Sequence, residues 1–88
     1  MVSKEYVVLA KEGLHARPAK ALIKMSKNFK STVTIVKDGV EADAKSMLGV
    51  LSLCAGYQSK ITLVVSGEDE TTAFEALDQF FTEDIISL

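Results

Sequence analysis

Apolar positions along the chain alternate between two periods, and the switches between them mark its elements. The β-branched and aromatic run EYVVLA at 5–10 predicts a strand, which Lys11, Glu12 and Gly13 then break. From Ala16 to Lys27 the spacing is helical. Ala19, Leu22, Ile23 and Ser26 fall at i, i+3, i+4 and i+7 and make an inner stripe. TVTIVK at 32–37 alternates as a strand, and Asp38-Gly39 is a strong hairpin turn. VEADA pairs back, with Val40, Ala42 and Ala44 on one side and Glu41 and Asp43 on the other. Ser46 suits the N-cap of a short apolar helix, MLGVLSL at 47–53, which Gly56 is expected to help end. KITLVVS at 60–66 reads as the fourth strand. The stretch GEDETTAFEALDQFF predicts a last helix with acids in its first turn and a buried face of Ala73, Phe74, Leu77, Phe80 and Phe81. The order is β-α-β-β-α-β-α. Helices on one face of a small antiparallel sheet, an α+β two-layer fold, bury these faces most simply.

Composition narrows this little. At 88 residues the chain makes one domain, 1–88, able to bury a modest core without metals or disulfides. A lone cysteine, Cys54, forms no internal disulfide, fits a reducing compartment and is expected as a small buried side chain. No apolar run approaches the roughly 20 residues that cross a bilayer, and MVSKEYVVLA lacks the pattern of a secretory leader. A cytoplasmic protein without membrane insertion is expected. Charge adds more. The net value of −2 conceals six basic and no acidic residues between Gly13 and Lys37, against seven acids and no base from Ile61 onward. Arg17, Lys20, Lys24 and Lys27 form a basic ridge on the first helix. Solvated helix faces explain such segregation, and so does a role in choosing partners.

The only histidine, only arginine and only proline lie together in GLHARPAKAL, positions 13–22. His15 falls at a helix start, where backbone N–H groups lack intrahelical partners and attract anions, phosphate especially. Pro18 suits a first helical turn, since its missing N–H would go unused. The positive helix end favours a neutral, nucleophilic imidazole, and Arg17 supplies planar, bidentate donors to a phosphoryl group. Nucleophile, anion cradle and cation together suit phosphoryl transfer. A histidine exposed for no functional reason fits the same position. One histidine and one cysteine make no metal cluster, no spacing supports a Ser–His–acid triad, and no glycine-rich nucleotide loop exists. No cofactor is expected.

GLHARPA, followed some thirty positions later by AKSMLGVLSL, resembles HPr, the histidine-containing phosphocarrier family of the bacterial sugar phosphotransferase system. The resemblance implies an open-faced β-sandwich with strands in the order 1-4-2-3, which agrees with the element order read from periodicity. It implies that His15 takes a phosphoryl group on its Nδ1 from phosphorylated enzyme I and passes it to IIA domains of sugar permeases. The amides of Ala16 and Arg17, the Arg17 side chain and the turn containing Pro18 would surround that group. Such a protein is a carrier with a covalent intermediate rather than an enzyme. Ser46, structurally an N-cap, would also be a regulatory site for an HPr kinase/phosphorylase, as in Gram-positive relatives, which Gly49 favours. Met47, Leu48 and Leu51, with Lys20, Lys24 and Lys27, would form the docking surface for these partners and for a catabolite control protein. Core packing is the competing reading for Leu48.

The chain also departs from the family pattern. Relatives often carry a small polar residue in place of Glu12, whose carboxylate either points away from His15 or repels a phosphoryl group there. Relatives usually have glycine at the positions of Cys54 and Gln58, so Gly56 is expected to take over part of that work. Two rivals stay open: a paralogue in a nitrogen-related or regulatory phosphorelay, and an acylphosphatase-like hydrolase using Arg17 and the helix end. Nucleic acid is a poorer partner, because the basic ridge lacks interleaved aromatics and the chain is acidic. A monomer is expected.

Overall fold

The computed structural model describes residues 1–88. Four strands, β1 (Val2–Val7), β2 (Thr32–Lys37), β3 (Val40–Asp43) and β4 (Lys60–Ser66), form one antiparallel sheet in the order β1-β4-β2-β3. Helices α1 (Ala16–Ser26), α2 (Met47–Ser52) and α3 (Glu70–Thr82) cover one face, and a 3-10 turn at Asp84–Ser87 follows. This is the expected α+β open-faced sandwich.

Its core is the meeting of the periods read from sequence. Ile61, Leu63 and Val65 of β4, with Val33 and Ile35 of β2, project from one sheet face. Against them lie Ala19, Leu22, Ile23 and Ser26 of α1, and Ala73, Leu77, Phe80 and Phe81 of α3. Phe81 stacks on Tyr6 at 5.1 Å between ring centroids and meets Phe80 edge-on at the same distance. Phe74 is only half-buried at the margin. Ile85, in the 3-10 turn that periodicity did not predict, is fully buried and anchors the chain after α3. No helix is long and apolar enough to cross a membrane.

Several details differ from expectation. The first strand is Val2–Val7 rather than 5–10. Its inward alternation nevertheless continues, with Tyr6, Val8 and Ala10 all buried. Val8 leaves the regular ladder yet keeps both backbone bonds: its N–H donates to the Ser59 carbonyl at 2.9 Å, and its carbonyl accepts from Gln58 at 2.8 Å. Val40 is 57% exposed because it sits at the open edge of the hairpin, while Ala42 and Ala44 are buried as expected.

The largest correction concerns Cys54, which is exposed rather than buried. Helix α2 ends at Ser52, and Cys54 reverses the chain itself with φ of +51°. Gln58 does the same with φ of +69°, whereas Gly56 is not in the left-handed region. Non-glycine residues thus occupy both reversals, each at a cost of about 1 kcal/mol.

Candidate functional site

His15 is the N-cap of α1, with extended backbone angles of −88° and −164°. Two backbone contacts hold it there. The Leu14 N–H donates to the Ala55 carbonyl at 2.8 Å, and buried Leu14 pins the segment to the core. Gly13, at φ of +78°, presses against the same loop: a Cβ built on it would stand 2.5 Å from the Ala55 carbonyl oxygen and 2.8 Å from the Gly56 Cα. Only glycine combines that conformation with that approach.

The helix end itself is uncommitted. The Ala16 and Arg17 amides lack intrahelical partners by position, and the His15 side chain makes no capping bond to them. The first satisfied amide is that of Ala19, donating to the His15 carbonyl at 2.9 Å. Pro18, buried in the first turn, has no N–H to leave unpaired. That turn holds no acid, and it holds Arg17. A cation beside the positive end of a helix is opposite to the stabilising arrangement. An arriving anion relieves both.

His15, Ala16 and Arg17 are exposed, and His15 stands between two shallow clefts. One, of about 400 Å³, is lined by Lys11, Glu12, His15 and Arg17 together with Leu88. The other, of about 370 Å³, is lined by Glu12, His15, Leu51, Cys54 and the Ala55–Gly56 backbone. None of the chain's ion pairs, Met1–Glu70, Lys4–Asp78 and Lys37–Asp38, involves either Arg17 or Glu12. Both charges therefore remain free to meet a ligand. Sequence reasoning missed Lys11, Cys54 and Leu88 as cleft residues, since chain folding alone brings 54 and 88 to His15.

The other candidate residues divide in two. Lys20, Lys24 and Lys27 are exposed along α1, forming the basic ridge. On α2, Leu48 is 81% exposed and Met47 38%, whereas Val50 beside them is fully buried. Leu48 is thus not core. Leu51 is half-buried and reaches the second cleft. Ser46 lies apart from His15's clefts as the N-cap of α2, its Oγ accepting from the Gly49 N–H at 3.1 Å. No group of three or more His, Cys, Asp or Glu side chains is placed to hold a metal ion.

Fold and site together define a small open-faced sandwich that presents one uncommitted histidine at a helix start. The family profile described as "PTS HPr component phosphorylation site" matches residues 2–83. A phosphocarrier protein HPr of Treponema pallidum is 40% identical over 81 residues, 92% of each chain. An HPr-like protein Crh of Halalkalibacterium halodurans is 43% identical over 84 residues, covering 96% of this chain and 100% of the relative. The crystal structure of HPr-C-His from Thermoanaerobacter tengcongensis superimposes with a TM-score of 0.93 at 31% identity, covering 100% of this chain and 98% of that one. The chain belongs to the HPr family of phosphocarrier proteins of the phosphotransferase system.

Proposed function

We propose that this chain carries a phosphoryl group on His15, receiving it from phosphorylated enzyme I and delivering it to IIA domains in the cytoplasm. The observation that carries this reading is the uncommitted α1 start, where an exposed imidazole, two unpaired amides and an unpaired Arg17 converge with no acid in the first turn. The imidazole nitrogen attacks phosphorus, the bond between phosphorus and the donor breaks, and its electron pair stays with the donor. Amides of Ala16 and Arg17 and the Arg17 guanidinium offset the charge brought by the phosphoryl oxygens. Because these groups sit in water, they hold the phosphoryl group only modestly, which suits onward transfer. Leu48 and Met47 offer exposed apolar contacts on α2, Leu51 lines a cleft with His15, and the basic ridge steers acidic partners.

We further propose that Ser46 is a regulatory phosphorylation site for an HPr kinase/phosphorylase, with a catabolite control protein as reader. Added charge there changes docking on α2 rather than the fold. The likeness to an HPr-like protein Crh keeps a regulatory paralogue as the second reading; the presence of His15 favours carriage.

Intact mass after incubation with phosphoenolpyruvate and enzyme I tests the main reading. A single acid-labile adduct on wild type, absent from His15→Ala, is expected. No adduct on wild type, with enzyme I active on another HPr, refutes it. Reversing Lys24 and Lys27 to glutamate is expected to slow loading at low salt, and an unchanged rate removes them from the docking surface.

A further inference from the structure

Glu12 is the one acid at the proposed acceptor. Glu12 is among the residues lining both clefts that flank His15. It is exposed and takes part in none of the chain's ion pairs. Arg17 reaches only the first of the two clefts. In the second, Glu12 is the sole charged residue beside His15; Leu14, Leu51, Cys54, Ala55 and Gly56 complete the lining. A phosphoryl group brings a charge of about −1.5 to −2 at neutral pH, and beside the cleft that Arg17 does not line the only charge near it is this carboxylate.

We propose that Glu12 sets the lability of the phosphoryl group on His15, destabilising the loaded state by direct repulsion. The inference rests on the reading of His15 as acceptor. In hydrolysis, a water oxygen bonds to phosphorus and the P–N bond breaks with its electron pair kept by the ring nitrogen. A proton from the water is returned to the imidazole through solvent, and orthophosphate leaves. Phosphoryl transition states are loose, with the bond to the leaving group already stretched. Repulsion is therefore larger in the loaded ground state than at the barrier, and it speeds departure to water and to an acceptor alike. Glu12 thus tunes how completely the carrier discharges.

Inorganic phosphoramidate provides a test that needs no partner protein: the ring nitrogen attacks its phosphorus, the P–N bond breaks and ammonia leaves. Wild type, Glu12→Gln, Glu12→Ser and Glu12→Asp are loaded in EDTA, freed of reagent, and followed by intact mass. Glutamine and serine variants should keep the adduct roughly two- to fivefold longer at low salt, the scale of an exposed charge pair, while aspartate behaves as wild type. High salt should close the gap, because the interaction is screened. Equal lifetimes at low salt, or a gap unmoved by salt, overturn the proposal. A shorter-lived Glu12→Gln adduct overturns it too, by showing that the carboxylate supports the loaded state. A wild type that loads with phosphoramidate but never with enzyme I refutes the carrier reading instead, so the two failures are distinct.

Discussion

The segments that lead into and out of α1 are fastened in different ways. The lead-in, up to His15, is fastened by no polar side chain: Leu14 bonds Ala55, Val8 bonds Gln58 and Ser59, and Gly13 presses against Ala55–Gly56, with the Leu14 side chain buried in the core. At the far end, about 16 Å away along the 11-residue helix, backbone bonds from Lys27 to Ile23, Asn28 to Met25 and Phe29 to Ser26 close the helix, and a side chain holds the loop beyond it. Asp69, at the head of α3, accepts from the Lys30 and Ser31 amides at 2.9 Å each and from the Ser31 hydroxyl. Gly67 packs so closely there that a Cβ would meet the Ser31 Cα at 2.7 Å. The Ser31 hydroxyl, then the Lys30 amide, hold the Asp69 carboxyl below the usual carboxylate range. An end that must present polar side chains to partners cannot also use them as fasteners. The end with no such duty can.

That contrast is broken most severely by Gly13→Ala. With left-handed φ and a Cβ driven into the Ala55 carbonyl, a loss of about 2–4 kcal/mol in stability is expected from strain and overpacking together. Urea denaturation measures it, and loading of His15 should fall in parallel because Leu14 and His15 follow directly.

A smaller effect belongs to Asp69→Asn, expected to lower Tm while leaving the yield of phosphorylated His15 unchanged. A lost yield would show that the two ends are coupled through α1. Asp69, Glu70 and Asp78 all have lowered carboxyl values, through the Ser31 hydroxyl, the N-terminal ammonium and the Tyr6 hydroxyl respectively. A lowered value means protonation is harder in the folded state. The stability these groups add is therefore present above their ordinary values of 3.8, 4.5 and 3.8, and it is lost as pH falls through the lower folded values. Tm should hold steady from neutral pH down to about 5 and fall below it. Tyr6 has the reverse sign: burial, then its 2.5 Å bond to Asp78, raises its hydroxyl well above the ordinary value of 10.0. Its contribution is present below that pH and is lost as pH rises beyond it.

The smallest effect sharpens the contrast. Cys54→Gly and Gln58→Gly should each leave stability unchanged or raise it by up to about 1 kcal/mol, since glycine relieves the left-handed strain but loosens the unfolded chain. Paired urea curves decide it.

Much of this was legible beforehand, and the limits are physical. Periodicity found every regular helix and strand, with the first strand set three residues too late, because inward-facing residues such as Leu22, Ile35 and Leu77 obey one period each. It did not find the 3-10 turn, whose single anchor, Ile85, carries no repeat. It misplaced Cys54, because a small apolar residue after an apolar helix reads as core until the chain reversal turns it outward. His15 and Arg17 were visible as singletons at a helix start. Leu88 and the loop at 54–56 were not, since only tertiary folding places them beside residue 15.

Cys54 has one more consequence, for experiment rather than biology. It is the sole thiol of the chain, it is solvent-exposed, and it lines a cleft with His15. A small thiol-reactive fluorophore can therefore be attached there in the wild-type sequence, with no competing cysteine to remove. Its emission would respond to a new charge on the neighbouring imidazole, turning the protein into its own real-time indicator of phosphoryl arrival and loss.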